Sequence, residues 1–199
     1  MSLKRNLTSR SVGIGIATAA FLFAAPSLAA SGGGGNSVGG SNGDANSSKS
    51  SGQVQTCKKK GEVYDANKKK CVAKTSSIFP DDVLYEQGRA LALTGDYDNA
   101  LDLLQSVKNQ KDPMVLTMLG YAKRKMGDVA GGFDYYNRAL AVDPNNLNTH
   151  EYMGEAYVVV GKYDEAKLEL KTLEKLCGGK GCEQFDDLAK VLAGEPDLD

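Results

Sequence analysis

Two series of glycines set the period of this chain. Gly88, Gly120 and Gly154 stand 32 and 34 residues apart, and Gly95, Gly127 and Gly161 repeat the same two intervals. A period in that range marks stacked supersecondary units. In each unit an apolar stripe with helical spacing runs up to a Gly-Asp or Gly-Lys break, and a second stripe follows it. The first unit reads Leu84, Gly88, Leu91, then Gly95-Asp96-Tyr97, then Ala100, Leu104 and Val107. The second reads Leu116, Leu119, Gly120, then Gly127-Asp128, then Gly132, Tyr136 and Ala139, closing on Asp143-Pro144-Asn145-Asn146. Met153, Gly154 and Tyr157, then Gly161-Lys162-Tyr163, Ala166 and Leu170, make the third. The pattern predicts an all-α chain of helix pairs.

These residues resemble the tetratricopeptide repeat, a helix-turn-helix unit of 34 residues, in an exported bacterial member of that family. The resemblance spans residues 81–180 as units 81–112, 113–146 and 147–180. Small residues fall where the two helices of a unit cross closely: Gly88, Gly120 and Gly154 on the first helix, Ala100, Gly132 and Ala166 on the second. The chain departs from the family pattern in places. Leu84, Leu116 and His150 replace the large aromatic near each start, the first unit is two residues short and lacks its closing Pro, and Gly178 stands there in the third. Gly131 beside Gly132 costs about 1 kcal/mol per Gly relative to Ala, so that first turn is expected to fray.

The family lines its concave groove with the first helix of each unit. Carried over position by position, the resemblance implies Asp82, Tyr85, Arg89 and Ala92, then Met114, Thr117, Tyr121 and Arg124, then Asn148, Glu151, Glu155 and Val158. Tyr85, Arg89, Thr117, Tyr121, Arg124, Glu151 and Glu155 are the candidate partner-binding set, because aromatic faces beside opposite charges grip a peptide by stacking and polar contacts. The set lacks the Lys/Asn/Arg clamp with which chaperone-binding members hold a C-terminal carboxylate.

A stack of three units must cover its apolar ends. Phe185, Leu188, Ala189 and Leu192 have helical spacing with acids opposite, and Gly194 and Pro196 stop the run, which predicts a capping helix over 182–194. The model of the domain is therefore three helix pairs and one cap.

The N-terminal third is of another kind. Lys4, Arg5 and Arg10 precede a small and apolar run from Val12 to Ala25, then Pro26-Ser27-Leu28-Ala29, which reads as a secretory signal peptide over 1–29 cut after Ala29 or, as second choice, Ala30. A retained anchor is the other reading, although the run falls short of the roughly 20 residues a spanning helix needs. Residues 30–56 are nearly all Gly, Ser and Asn, a disordered tether with a reach of roughly 25 to 30 Å. Export to the periplasm of a Gram-negative bacterium is the expectation, with an extracellular site as the alternative.

Charge divides after the tether. Residues 57–74 hold seven Lys against Glu62 and Asp65, a net of +5, whereas 75–199 hold 13 basic and 22 acidic groups, a net of −9. Four cysteines in an exported chain imply disulfides. Of three possible pairings the local one, Cys57–Cys71 with Cys177–Cys182, is preferred. Zinc is disfavoured because thirteen and four intervening residues do not form matched knuckles, and a redox dithiol because its cysteines ordinarily stand two residues apart. The Cys57–Cys71 stretch reads as a small stapled hairpin, with Val63-Tyr64 and Cys71-Val72 as strands and Asp65-Ala66-Asn67 turning between them. Carried on a tether, its Lys58, Lys59, Lys60, Lys68, Lys69 and Lys70 suit an anionic envelope surface; the plainer alternative is a solubilising charge run.

The catalytic inventory is thin. One His, no Trp, and no nucleophile elbow, zinc-protease or phosphate-loop pattern point away from an enzyme, a metal, a cofactor or a small-molecule substrate. His150 occupies a repeat core position and is expected to be structural, and export argues against nucleic acid. The reading is a non-enzymatic exported scaffold that binds a protein or peptide in its groove. The alternative is envelope adhesion through the basic hairpin, with the repeats as spacer or oligomerisation body.

Overall fold

The computed structural model describes residues 53–76, 78–179 and 181–194, all within one compact unit, Ser50–Asp199. The expected signal peptide and residues 30–52 of the linker lie outside the described residues. Among these the chain forms an antiparallel hairpin of β1 (Glu62–Asp65) and β2 (Lys70–Ala73) followed by seven helices. These are α1 (Asp81–Leu93), α2 (Tyr97–Leu104), α3 (Pro113–Lys125), α4 (Val129–Val142), α5 (Leu147–Val159), α6 (Tyr163–Leu176) and α7 (Glu183–Leu192). None of them is long and apolar enough to cross a membrane. Consecutive helices pack as pairs, α1 on α2, α3 on α4 and α5 on α6; α3 also meets α1 and α5, and α7 lies on α5 and α6.

Local chemistry fixes where the helices begin and end. The side chains of Asp96, Asp112, Asp128 and Asn146 each accept a backbone N–H from the first turn of α2, α3, α4 and α5, satisfying donors that a helix start otherwise leaves open. Gly127 ends α3 at φ 90°; its N–H reaches the Arg124 carbonyl and that of Asp128 reaches Lys123, a closure that needs a left-handed residue at this point. The first turn of α4, weakened by two glycines, is nonetheless helical from Val129. Asp128 caps it through the Gly131 N–H at 2.9 Å.

The close crossings are real. A Cβ on Gly120 would lie 2.6 Å from Cε1 of Tyr136, and one on Gly88 2.8 Å from Cγ of Leu104. Gly154 differs, since its neighbour is Leu188 of α7 rather than a residue of α6. The capping helix therefore seats Leu188 against the first helix of the last unit. Leu173, Phe185 and Leu188 form a core there, with Cys177 and Cys182 packed beside it. The Cys177–Cys182 disulfide, Cα atoms 6.0 Å apart, joins the end of α6 to the start of α7.

The hairpin is stapled by Cys57–Cys71, Cα atoms 5.9 Å apart. Its strands run one residue further at each end than the sequence suggests. Asp65 belongs to β1, and its carboxylate accepts the Asn67 and Lys68 N–H groups to set the turn; those contacts hold it below the usual carboxylate range. The hairpin does not stand apart from the repeats but packs on the first helix pair. Val63 is 0% exposed and belongs to the same core as Leu84, Leu91 and Leu104. Asn99 of α2 donates to the Lys58 carbonyl at 3.2 Å, and Lys74 reaches the Asp102 carboxylate at 2.6 Å and Ser106 at 3.1 Å. The free apolar face of the first helix pair needs a cover, and Val63 supplies it.

His150, the lone histidine, joins three elements. Its Nδ1 lies 2.7 Å from Glu169 Oε2 of α6 and its Nε2 2.9 Å from the Pro144 carbonyl in the loop before α5.

Candidate functional site

The seven candidate groove residues sit on α1, α3 and α5. Tyr85 and Arg89, one turn apart on α1, are half-buried. Burial pushes the Tyr85 hydroxyl up to about 12 against the opposing pull of Arg89, and that hydroxyl has no hydrogen-bond partner among the described residues. The other five, Thr117, Tyr121, Arg124, Glu151 and Glu155, are buried. An open groove lined by all seven is not what the side chains form. Those on α3 and α5 reach one another.

Three cross-links carry that seam. The Thr117 hydroxyl lies 2.6 Å from that of Thr149, and also donates to the Pro113 carbonyl at 2.7 Å. Tyr121 and Tyr152 pack ring against ring with centroids 4.9 Å apart. Arg124 Nη2 meets Glu155 Oε2 at 2.5 Å, with side chains 3% and 2% exposed. The Arg124 guanidinium also lies over both rings, 5.4 Å from the Tyr121 centroid and 6.0 Å from that of Tyr152. Tyr97, at the start of α2, turns its ring edge-on to Tyr121 at 6.5 Å, and Lys125 Nζ lies 5.2 Å from the same ring. The buried ion pair lies against the aromatic faces and fixes α3 against α5 by preorganised contacts.

Tyr97, Lys125, Thr149 and Tyr152 are members of this layer that sequence reasoning left out. A signal for three of the links was present. Arg124 with Glu155 and Tyr121 with Tyr152 are 31 residues apart, and Thr117 with Thr149 is 32 apart, each two or three residues short of the 34 that separate equivalent positions of these units, so each α3 residue meets the one about a helical turn before its own counterpart on α5.

The lysines lie elsewhere. All six are exposed, Lys59 pairing with Glu62 at 3.5 Å and Lys68 with Asp65 at 3.1 Å. Cys57, Glu62 and Cys71 bring three potential ligand atoms within 4.8 Å, but both sulfurs are committed to the disulfide.

Stacked helix pairs closed at both ends, with a layer of Tyr, Arg and Glu linking their first helices, define a helical-repeat interaction scaffold. Residues 82–110 and 115–146 match tetratricopeptide repeat family models, so the chain carries tetratricopeptide repeats. It is 29% identical over 104 residues to the cell division cycle protein 16 homolog of Homo sapiens, a match taking in 45% of this chain and 17% of the relative. The chain thus spans about a sixth of the length of the curated relatives it matches. Among solved structures it is similar to the type III secretion translocator chaperone SycD of Yersinia enterocolitica, with 19% identity, a TM-score of 0.51, and coverage of 57% of this chain and 88% of that one. The Sgt2 tetratricopeptide repeat domain of Aspergillus fumigatus gives 20% identity and a TM-score of 0.51, covering 59% and 82%. These likenesses show the fold.

Proposed function

We propose that the chain is an exported, non-enzymatic scaffold that binds a protein or peptide segment along the first helices of its three units. The carrying observation is the half-buried pair Tyr85 and Arg89 on α1, in a layer of first helices that the buried Tyr121–Tyr152 stack and the Arg124–Glu155 pair hold rigid. Tyrosine and arginine dominate binding energy at protein interfaces because they combine large contact area with directional polar groups. Tyr85 and Arg89, only half-buried, are the part of this set that a partner meets first. Export is favoured by the leader-like residues 1–29 and by two disulfides, which persist in oxidising compartments.

The test is site-specific photo-crosslinking from position 89 in the native cell, with position 167 on the exposed side of α6 as control. One discrete protein adduct at 89 and none at 167 supports the reading. Equal labelling at both, or none at 89 in a folded chain, refutes it.

A further inference from the structure

Docking of the hairpin gives its lysines fixed positions at one end of the repeat stack. Lys58, Lys59 and Lys60 lie in the turn before β1, while Lys68 and Lys69 lie in the turn after it and Lys70 opens β2. Two triplets thus flank a four-residue strand, which spans about 13 Å. Among the described residues no carboxylate comes within ion-pair distance of Lys58, Lys60, Lys69 or Lys70. Four uncompensated ammonium groups crowd a domain whose remainder is net acidic, so the domain is strongly polarised.

Residue types narrow what meets this end. The hairpin has no Arg, so it carries no fork for bidentate reading of a single phosphate. Its one aromatic, Tyr64, is half-buried, a single partly covered ring where base stacking uses a platform of several. An unusual exposure accompanies the charge: Ile78, five residues beyond β2, is 89% exposed, and Val54, three before Cys57, is 40% exposed. Exposed lysines and bare aliphatic side chains that flank the same short hairpin in sequence match an interface with anionic headgroups outside and acyl chains beneath.

We propose that the hairpin end of the solenoid docks peripherally on a membrane surface bearing anionic lipid headgroups. This goes beyond the groove reading and is independent of it, since it uses no residue of α3 or α5. Lysines attract the surface over about a Debye length, and Ile78 adds an apolar contact that salt does not screen.

Vesicle co-sedimentation tests it with the chain from Ala30 onward, which includes the whole compact unit. Phosphatidylglycerol-containing vesicles are compared with pure phosphatidylcholine. Binding to the anionic vesicles only, weakening with salt, is expected. Removing Lys58, Lys60, Lys69 and Lys70 together as Gln should cost about fivefold per lysine, hundreds-fold in all. Replacing Lys108, Lys111, Lys171 and Lys175, which are also exposed, should cost far less. Ile78→Ser should weaken binding about tenfold with every charge intact. The proposal is overturned if the unaltered chain ignores anionic vesicles, if both quadruple variants lose binding equally, or if Ile78→Ser changes nothing. Capture by inorganic polyphosphate without vesicle binding would reassign the surface to a soluble polyanion. Circular dichroism and thermal unfolding show that each variant is folded.

Discussion

Gln87 holds Tyr64 by both halves of its amide: Oε1 accepts the Tyr64 N–H at 2.9 Å, and Nε2 donates to the Tyr64 carbonyl at 2.9 Å. A side chain of α1 thereby behaves as a short third strand along the free edge of β1. The hairpin edge is closed by the same contact that docks it.

Gln87→Ala should leave both Tyr64 backbone groups without a protein partner at a partly buried site and cost about 1 to 2 kcal/mol. Urea denaturation reads the loss, and amide exchange at Tyr64 should speed up more than exchange in α5. Unchanged exchange at Tyr64 would show that the clamp does not hold the hairpin.

The Arg124–Glu155 pair answers differently to single and double replacement. Arg124→Met or Glu155→Gln alone leaves a buried charge uncompensated and should cost about 3 to 5 kcal/mol. The double variant Arg124→Met/Glu155→Leu should recover most of this, and a double-mutant cycle in denaturant measures the coupling.

Gly120→Ala should destabilise by about 1 to 3 kcal/mol, because its Cβ meets the fully buried Tyr136 ring at 2.6 Å and overpacking outweighs the gain in helix propensity. A Cβ on Gly131 has the carboxylate of exposed Asp128 as its nearest neighbour, and moving that flexible side chain gives up its cap on the Gly131 N–H while Ala gains helix propensity. Gly131→Ala should stay within about 1 kcal/mol of the unaltered chain. Thermal unfolding of the two variants side by side checks the contrast.

His150 should make stability fall with rising pH. Burial opposes its protonated form, but Glu169, the Pro144 carbonyl and Asp143 together outweigh this and raise its pKa above the ordinary 6.5. Both ring nitrogens face acceptors, so only the imidazolium donates to both. The stabilisation is complete below the unfolded value of about 6.5 and is lost as pH climbs through the folded value. As the chain has one histidine, its proton NMR titration is unambiguous. His150→Gln should flatten the pH dependence of the unfolding midpoint above about 6.5, and a histidine titrating below its ordinary value would contradict the account.

Opening the first staple, Cys57→Ser with Cys71→Ser, frees a 15-residue loop and should cost about 3 kcal/mol. Because Val63 sits in the repeat core, the loss should appear in the helical unfolding transition and not as a separate early step. A distinct low-temperature transition would mean the hairpin folds apart from the repeats.

The helix pairs were legible because glycines at turns and crossings have no substitute there, so the period survives in plain residue identities. The capping helix was legible from the spacing of Phe185, Leu188 and Leu192. The docking of the hairpin was not. It depends on a Gln87 side chain meeting the backbone of Tyr64, 23 residues away, and no periodicity records such a contact. Lysine density pointed to a solvated knob, while the one residue that decides the matter, Val63, looked like any strand residue. The candidate site was half legible: family register placed Thr117, Tyr121, Arg124 and Glu155 on the right helices. It did not show that they would link α3 to α5, which depends on side chains long enough to meet a residue about one turn before the equivalent position.

Plugs at both ends also make the stack a ruler of set length. With Val63 seated on the first helix pair and Leu188 on the last, the apolar faces at both ends of the series are covered among the described residues. Three inner helices at about 9 Å intervals span about 20 Å, room for about six residues of extended chain. A segment bound as proposed along these helices is therefore measured as well as recognised, and a longer one leaves its remainder in solvent.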